Sequence, residues 1–216
     1  MTEFDVRLND MKIEEIVPYN PVVVECGANV GNTTKCFLRR FFNLQLFCFE
    51  PDPRCIEIFK RSISDSRCKL YEAAISDVDG FTELHLSSGY RPNQEGINHI
   101  NASTIKGVSR HKELHPWIEY EKSIQVKTIK LDTWRLEEDI NTIDFMWIDV
   151  EGAIENLIKG GFETLERTRY LYTEYADYQE YNDEINLADI LKLLPSFEIV
   201  RQWPNDVFLR NKGEEG

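Results

Sequence analysis

At 216 residues the chain has room for one sizeable domain with a real core, and no Pro/Gly/Ser-rich linker divides it. It carries 38 acidic against 25 basic residues, a formal net charge of −13, with its Lys and Arg scattered singly. That balance argues against a nucleic acid or an anionic membrane surface as partner, since both require clustered positive charge.

The five cysteines, Cys26, Cys36, Cys48, Cys55 and Cys68, contain no C-x-x-C pair. They read as small apolar filler of a reducing compartment, neither a zinc site nor a disulfide framework. Met1 to Asn20 carries acids and lacks a continuous apolar region, and nothing reaches transmembrane length. A cytoplasmic protein without membrane insertion is the expectation. The glycosylation triplets Asn32-Thr33-Thr34 and Asn101-Ala102-Ser103 are expected to be chance matches.

In chain order, residues 1–20 form an N-terminal helical segment, with Val6, Met11, Ile13 and Ile16 at loose helical spacing before Pro18 and Pro21 halt it. Its expected place is the outside of the sheet edge or the mouth of the ligand site. Val22-Val23-Val24 then reads as a strand buried on both faces, ending in Glu25 and a glycine turn. A helix through Cys36, Phe37 and Phe41 follows. Leu44 to Glu50 is a second strand and Cys55 to Ile63 a second helix. Cys68 to Ser76 is a third strand. This alternation predicts an α/β fold, a single doubly wound, mostly parallel sheet of seven strands.

Phe81 to Leu86 and Ser123 to Leu131 alternate as half-exposed strands. Residues 87–122 between them read as a long irregular insertion, a lid over the acceptor. Tyr90, Arg91, Asn93, Asn98, Asn101, Trp117 and Tyr120 supply it with the groups a sugar site uses. On this reading, deleting Tyr90 to His115 abolishes transfer and spares cofactor binding. Leu131 to Ile140 is a short helix, Ile143 to Asp149 a fourth buried strand, and Ala153 to Lys159 a helix. Arg169 to Tyr175 is a fifth strand, Leu187 to Leu194 a helix, and Phe197 to Gln202 with Asp206 to Arg210 a closing hairpin. The domain is expected to span residues 1–212, with 213–216 a disordered tail.

Four strands finish in or near an acid: Glu25, Glu50, Asp149 and Glu174. In an open α/β sheet these ends face the ligand crevice. The turn Gly27-Ala28-Asn29-Val30-Gly31-Asn32 departs from the G-x-G-x-x-G dinucleotide fingerprint, because Asn29 stands where the backbone must approach a pyrophosphate. Glu50 lies 19 positions after Gly31 (50 − 31), the spacing of an acid that takes ribose hydroxyls. A site that keeps its nucleoside half and changes its pyrophosphate half suits S-adenosylmethionine better than NAD.

The segments E-C-G-A-N-V-G-N-T, F-E-P-D-P, A-A-I-S-D-x-x-G, V-K-T-I-K-L-D and I-D-F-M-W-I-D-V-E-G-A, in that order, resemble the FkbM-type S-adenosylmethionine-dependent methyltransferases from about Val22 to Glu174. The chain departs from the family at Ile154, where an acid usually follows the alanine. The resemblance implies that Glu25, Gly27, Ala28, Asn29, Gly31 and Asn32 hold the methionine part and that Glu50, with Pro51, binds the ribose. It implies that Ala74 and Ile75 flank adenine, that Ser76 or Asp77 reaches its amino group, and that Asp149 sits near the transferred methyl. It also implies O-methylation of a hydroxyl on a sugar, a glycan or a glycosylated small molecule. Asp149, Glu151, Glu174 and, from the insertion, His111 are the candidate catalytic groups, beside His99 and His115. Glu151 is equally an acid placed to favour a helix N-terminus. No metal is expected, for want of a dedicated metal spacing. The alternatives are a Mg²⁺-assisted diol- or catechol-type O-methyltransferase and a non-catalytic module of the same fold.

Overall fold

A computed structural model describes residues 3–90, 99–177 and 179–213. The chain opens with α1 (Glu3–Met11) and α2 (Ile13–Ile16), and continues through β1 (Val22–Cys26), α3 (Asn32–Arg40), β2 (Gln45–Phe49), α4 (Pro53–Ser62) and β3 (Cys68–Tyr71). A side unit follows: β4 (Ala74–Ile75), β5 (Gly80–Gly89), α5 (Ser109–Leu114) and β6 (Ile118–Ile129). The remainder is α6 (Leu131–Glu137), β7 (Ile143–Ile148), α7 (Ile154–Gly160), α8 (Phe162–Leu165), β8 (Thr168–Glu174), α9 (Leu187–Leu193), β9 (Phe197–Trp203) and β10 (Asp206–Asn211).

The main sheet has seven strands in the order β3-β2-β1-β7-β8-β10-β9. Its strands run parallel except at β10, which is antiparallel to β8 and to β9. Successive strand residues face opposite sides, so Val24, Phe47 and Met146 join one core with Trp134, Leu157 and Ile190. Val23, Leu46 and Phe145 join the other with Leu8, Phe37 and Phe208. Every residue of β7 is buried, as befits a central strand, including Asp144, whose carboxylate accepts from the Val22 amide at 2.8 Å. Asp52 and Pro53 start α4, with the Asp52 carboxylate accepting from the Arg54 amide and proline at the first helical position. Among the described residues no helix is long and apolar enough to cross a membrane.

Two expectations need correction. Cys68 to Ser76 is not one strand. β3 ends at Tyr71 on β2, while Ala74 and Ile75 pair with Thr128 and Ile129 in a separate three-stranded sheet, β4-β6-β5. Nor is 87–122 irregular throughout. Ser87 to Gly89 extends β5, Ile118 to Lys122 extends β6, and α5 lies between. Their polar sequence reflects a small sheet whose own buried cluster is only Ala74, Leu84 and Val126. Of the two places expected for the N-terminal segment, α1 takes the mouth of the site: Phe4 packs edge-on against Trp147 of β7 at 6.0 Å, and Phe4 and Arg7 line the cleft outside the strand ends. Arg91, Asn93, Asn98 and residues 214–216 lie outside the described residues.

Candidate active site

Strand order reverses beside β1, which lies between β2 and β7, and ligands of open α/β sheets bind in the crevice outside such a point. The loop ends there are tied together through the backbone. The Gly27 and Ala28 amides both donate to the Phe49 carbonyl at 3.0 and 2.9 Å, and the Asp149 amide donates to the Cys26 carbonyl at 2.9 Å. Gly27 has φ 87°, and a Cβ on it would stand 1.7 Å from the Asp149 carbonyl oxygen. Backbone on both sides leaves no room for any larger residue. Asn29 takes φ 50°, a left-handed conformation that asparagine tolerates. Its Oδ1 accepts from the Val30 amide at 2.7 Å.

Glu50 closes β2 and is buried. Its Oε2 accepts from the Asn29 amide and its Oε1 from the Asp52 amide, both at 2.7 Å. Each oxygen keeps a further lone pair, so the carboxylate offers two adjacent acceptors to a vicinal diol. Burial pushes Glu50 up to about 7, against the pull of those two amides. Beside it lies a pocket walled by Phe49, Ala74, Ile75, Leu84, Ile100 and Ile105. Its apolar walls and one diol-sized polar corner suit a nucleoside.

This cavity opens onto a cleft lined by Phe4, Arg7, Trp147, Asp149, Tyr172, Glu174 and Asp206. A third space lies under Tyr175, Tyr181 and Glu184. Glu151 lines all three. It holds φ 48°, outside both β7 and α7, and accepts a 2.5 Å hydrogen bond from the Tyr181 hydroxyl. Its carbonyl accepts from Thr104 Oγ1 at 2.6 Å. Gly152 makes room for this contact, since a Cβ on it would lie 2.7 Å from the Tyr181 ring.

The acids push one another's proton affinity up. Asp149 rises to about 6 through burial and the nearby Asp206, and Glu151 rises through burial and Asp149. Glu174, open to solvent in the cleft, is raised first by the Asp149 charge. Among the described lining residues Arg7 is the one cation, and it is already paired with Asp206 at 2.6 Å. The site therefore carries excess negative charge and favours a cationic ligand.

Most of the residues expected from sequence meet here. Gly27, Asn29, Glu50, Pro51, Ala74, Ile75 and Asp149 line the nucleoside-sized cavity, while Ala28, Asn32 and Glu174 line the cleft. Four do not reach either space. Glu25 is sealed inside, accepting from the Thr34 hydroxyl at 2.6 Å and the Cys48 thiol at 3.3 Å, so it pins α3 to β1 instead of touching a ligand. Gly31 faces Phe59 and Ile63 of the α4 region. Ser76 donates to Asp77, which also accepts from Asn156 of α7, both at 3.0 Å, and this turns the pair away from the cavity. His111 is buried on α5, stacked on Tyr181 at 4.5 Å. Desolvation, with His115 and His99 nearby, lowers it to about 4, so it is neutral and separated from the cleft by the tyrosine.

Other site residues went unread in the sequence. Asp206 had a usable signal: it opens the one antiparallel strand of the main sheet, and such a strand begins at the edge where its parallel neighbours end. Thr104, Tyr181 and Arg7 carry no local signal, because contacts 30 to 199 positions apart place them. Glu155 takes no part, being paired with Lys159 at 2.8 Å along α7.

An apolar cavity, a buried glutamate with two adjacent acceptors and an acidic cleft on this strand order are the features of a Rossmann-like S-adenosylmethionine-dependent methyltransferase. Residues 25–207 match the family described as the methyltransferase FkbM domain, and the chain belongs to that family. It is 39% identical over 197 residues to 2-O-methyltransferase NoeI of Sinorhizobium fredii, covering 89% of this chain and 80% of that one. It is 23% identical over 159 residues to methyltransferase sdnD of Sordaria araneosa, covering 67% and 61% respectively. The solved structure of an rRNA methylase from Streptococcus thermophilus superposes with a TM-score of 0.51 over 98% of both chains. At 11% identity that likeness shows the fold alone.

Proposed function

We propose that this chain methylates a hydroxyl oxygen of a sugar, free or within a glycan or glycosylated small molecule. The relative named as a 2-O-methyltransferase supports oxygen as the acceptor atom. Asp149, Glu174 and Asp206 line the cleft beside the rings of Phe4, Trp147 and Tyr172, an arrangement of acceptors and aromatic edges that suits a sugar. S-adenosylmethionine, when bound, supplies an electrophilic methyl group on a cationic sulfur. Glu50 takes its ribose hydroxyls, Ala74, Ile75 and Leu84 enclose its base, and the amides that open α3 face its carboxylate. Asp149 and Glu174 offset its positive charge.

Glu151 carries the reading, since it alone among the described residues borders the nucleoside cavity, the cleft and the third space. As general base it accepts the acceptor's hydroxyl proton on its carboxylate while Tyr181 holds the other oxygen. Its raised proton affinity favours that uptake. Asp149, Glu174 and Asp206 do not form a metal-ligating group among the described residues, which leaves the Mg²⁺-assisted alternative without geometric support.

Radiolabelled methyl transfer to nucleotide sugars, free glycans and small phenols, with the methyl located by NMR, tests the acceptor class. The Glu151→Gln variant should lose about 10²–10⁴-fold in kcat while calorimetry shows cofactor affinity little changed. Full turnover in that variant removes Glu151 from its role, and label confined to phenols removes the sugar.

A further inference from the structure

Away from the carboxylate cleft, three side chains of ligand type converge where α5 meets the segment after β8. His111 belongs to α5, and His115 caps its C-terminus four positions on, so one helical turn brings the two imidazoles side by side. Their ring centroids are 4.6 Å apart. Glu180 reaches them from the other segment, its Oε2 3.5 Å from His115 Nε2. One ligand atom from each of the three lies within 4.8 Å of the other two.

The buried imidazole is already oriented. His111 Nδ1 lies 3.0 Å from the Tyr120 hydroxyl, and that hydroxyl donates to the Ala102 carbonyl at 2.9 Å. With the tyrosine proton on that carbonyl, His111 Nδ1 takes the role of ring N–H donor, the tautomer that leaves Nε2 its lone pair. A hydrogen bond on the far nitrogen is how metal-bound histidines are fixed.

We propose that His111, His115 and Glu180 form a site for a divalent transition metal of the zinc class, with its fourth position open. Two imidazoles and one carboxylate suit Zn²⁺ or Co²⁺ and not Mg²⁺, which favours oxygen. Bonds of about 2.1 Å set tetrahedral edges near about 3.4 Å. The His115–Glu180 edge is there already, and rotation of these two half-exposed side chains closes the others.

The metal clasps the β5–β6 insertion to the segment between β8 and α9. The two already touch: Ser109 donates to Asn182 Oδ1 at 2.8 Å, and the Asn182 amide donates to the Gly107 carbonyl at 2.9 Å. Tyr181, next to the ligand Glu180, stacks on His111 and donates to Glu151. An ion here fixes the tyrosine that holds that acid. Metal affinity itself does not depend on the role proposed for Glu151.

The test uses the whole chain, stripped with a chelator and titrated with Co²⁺, whose visible ligand-field absorption reports tetrahedral binding. One ion per chain is expected, displaced by Zn²⁺, with a higher thermal midpoint. Tyr120→Phe, which removes the partner of Nδ1 together with the bond to the Ala102 carbonyl, should weaken affinity about 10–100-fold. His115→Ala and Glu180→Gln should weaken it further and abolish the thermal shift. Neither substitution enters a core, so loss of fold is not the expected cause, and circular dichroism checks this. Absence of Co²⁺ absorption in the parent chain overturns the proposal. So does unchanged binding in both ligand variants, which would put the ion elsewhere.

Discussion

Glu25 is a carboxyl group shut between β1 and α3 with a hydroxyl and a thiol for company and no cation in contact. Burial pushes it up to about 8, and the Thr34 and Cys48 hydrogen bonds only partly restore its charge. In the unfolded chain a glutamate ionises near about 4.3. Between those values the folded chain holds a proton that the unfolded chain has lost, so stability falls as pH rises through that window. Urea midpoints of the ligand-free protein should therefore drop between about pH 5 and about pH 8.5. Glu25→Gln keeps the Thr34 contact, removes the titration and should flatten the upper part of that slope. An unchanged slope in the variant would mean that Glu25 is ionised in the fold. The sequence showed this acid at a strand end, where a ligand contact and an internal tie look alike. Only the position of Thr34 on α3 separates the two.

At the scale of elements, the segment joining β5 to α5 walls the apolar cavity beside Glu50. Ile100, Asn101, Ser103, Thr104 and Ile105 all line the nucleoside cavity. Ser103 donates to Asp52 at 2.8 Å and Thr104 to the Glu151 carbonyl, which ties the segment to the ends of β2 and β7. The expectation that deletion of Tyr90 to His115 spares cofactor binding is therefore replaced. The deletion should abolish the heat of S-adenosylhomocysteine binding along with transfer, and retained affinity would show the wall to be dispensable. The parallel strands were legible because Val22 to Val24 and Phe145 to Ile148 are apolar runs too short for helices, and the acids that follow them mark the crevice. The hairpin was not, since Ile118 to Ser123 alternates weakly and α5 (S-R-H-K-E-L) has almost no apolar stripe. Unread as a helix, it hid the His111–His115 spacing as well.

Across the whole molecule the formal charge of −13 is not evenly spent on solubility. Asp149, Glu151, Glu174 and Asp206 face one cleft with Arg7 as the lining cation, so ionising all of them at once is opposed by mutual repulsion. A ligand bearing a positive sulfur relieves that repulsion, and linkage makes the effect reciprocal: binding lowers the proton affinity of the acids that favour it. Three consequences follow for one calorimetric series. Affinity for S-adenosylmethionine should weaken as pH falls from about 8 to about 5.5, while Glu50 (about 7) and Asp149 (about 6) take up protons. S-adenosylhomocysteine lacks the sulfonium charge and should weaken less, so the preference for donor over product narrows in acid. Near about pH 6.5, heats in buffers of different ionisation enthalpy should show net proton release when the donor binds. Proton uptake, or a donor-to-product ratio that ignores pH, would mean that the carboxylates do not hold the cation and that apolar enclosure of the nucleoside alone sets affinity.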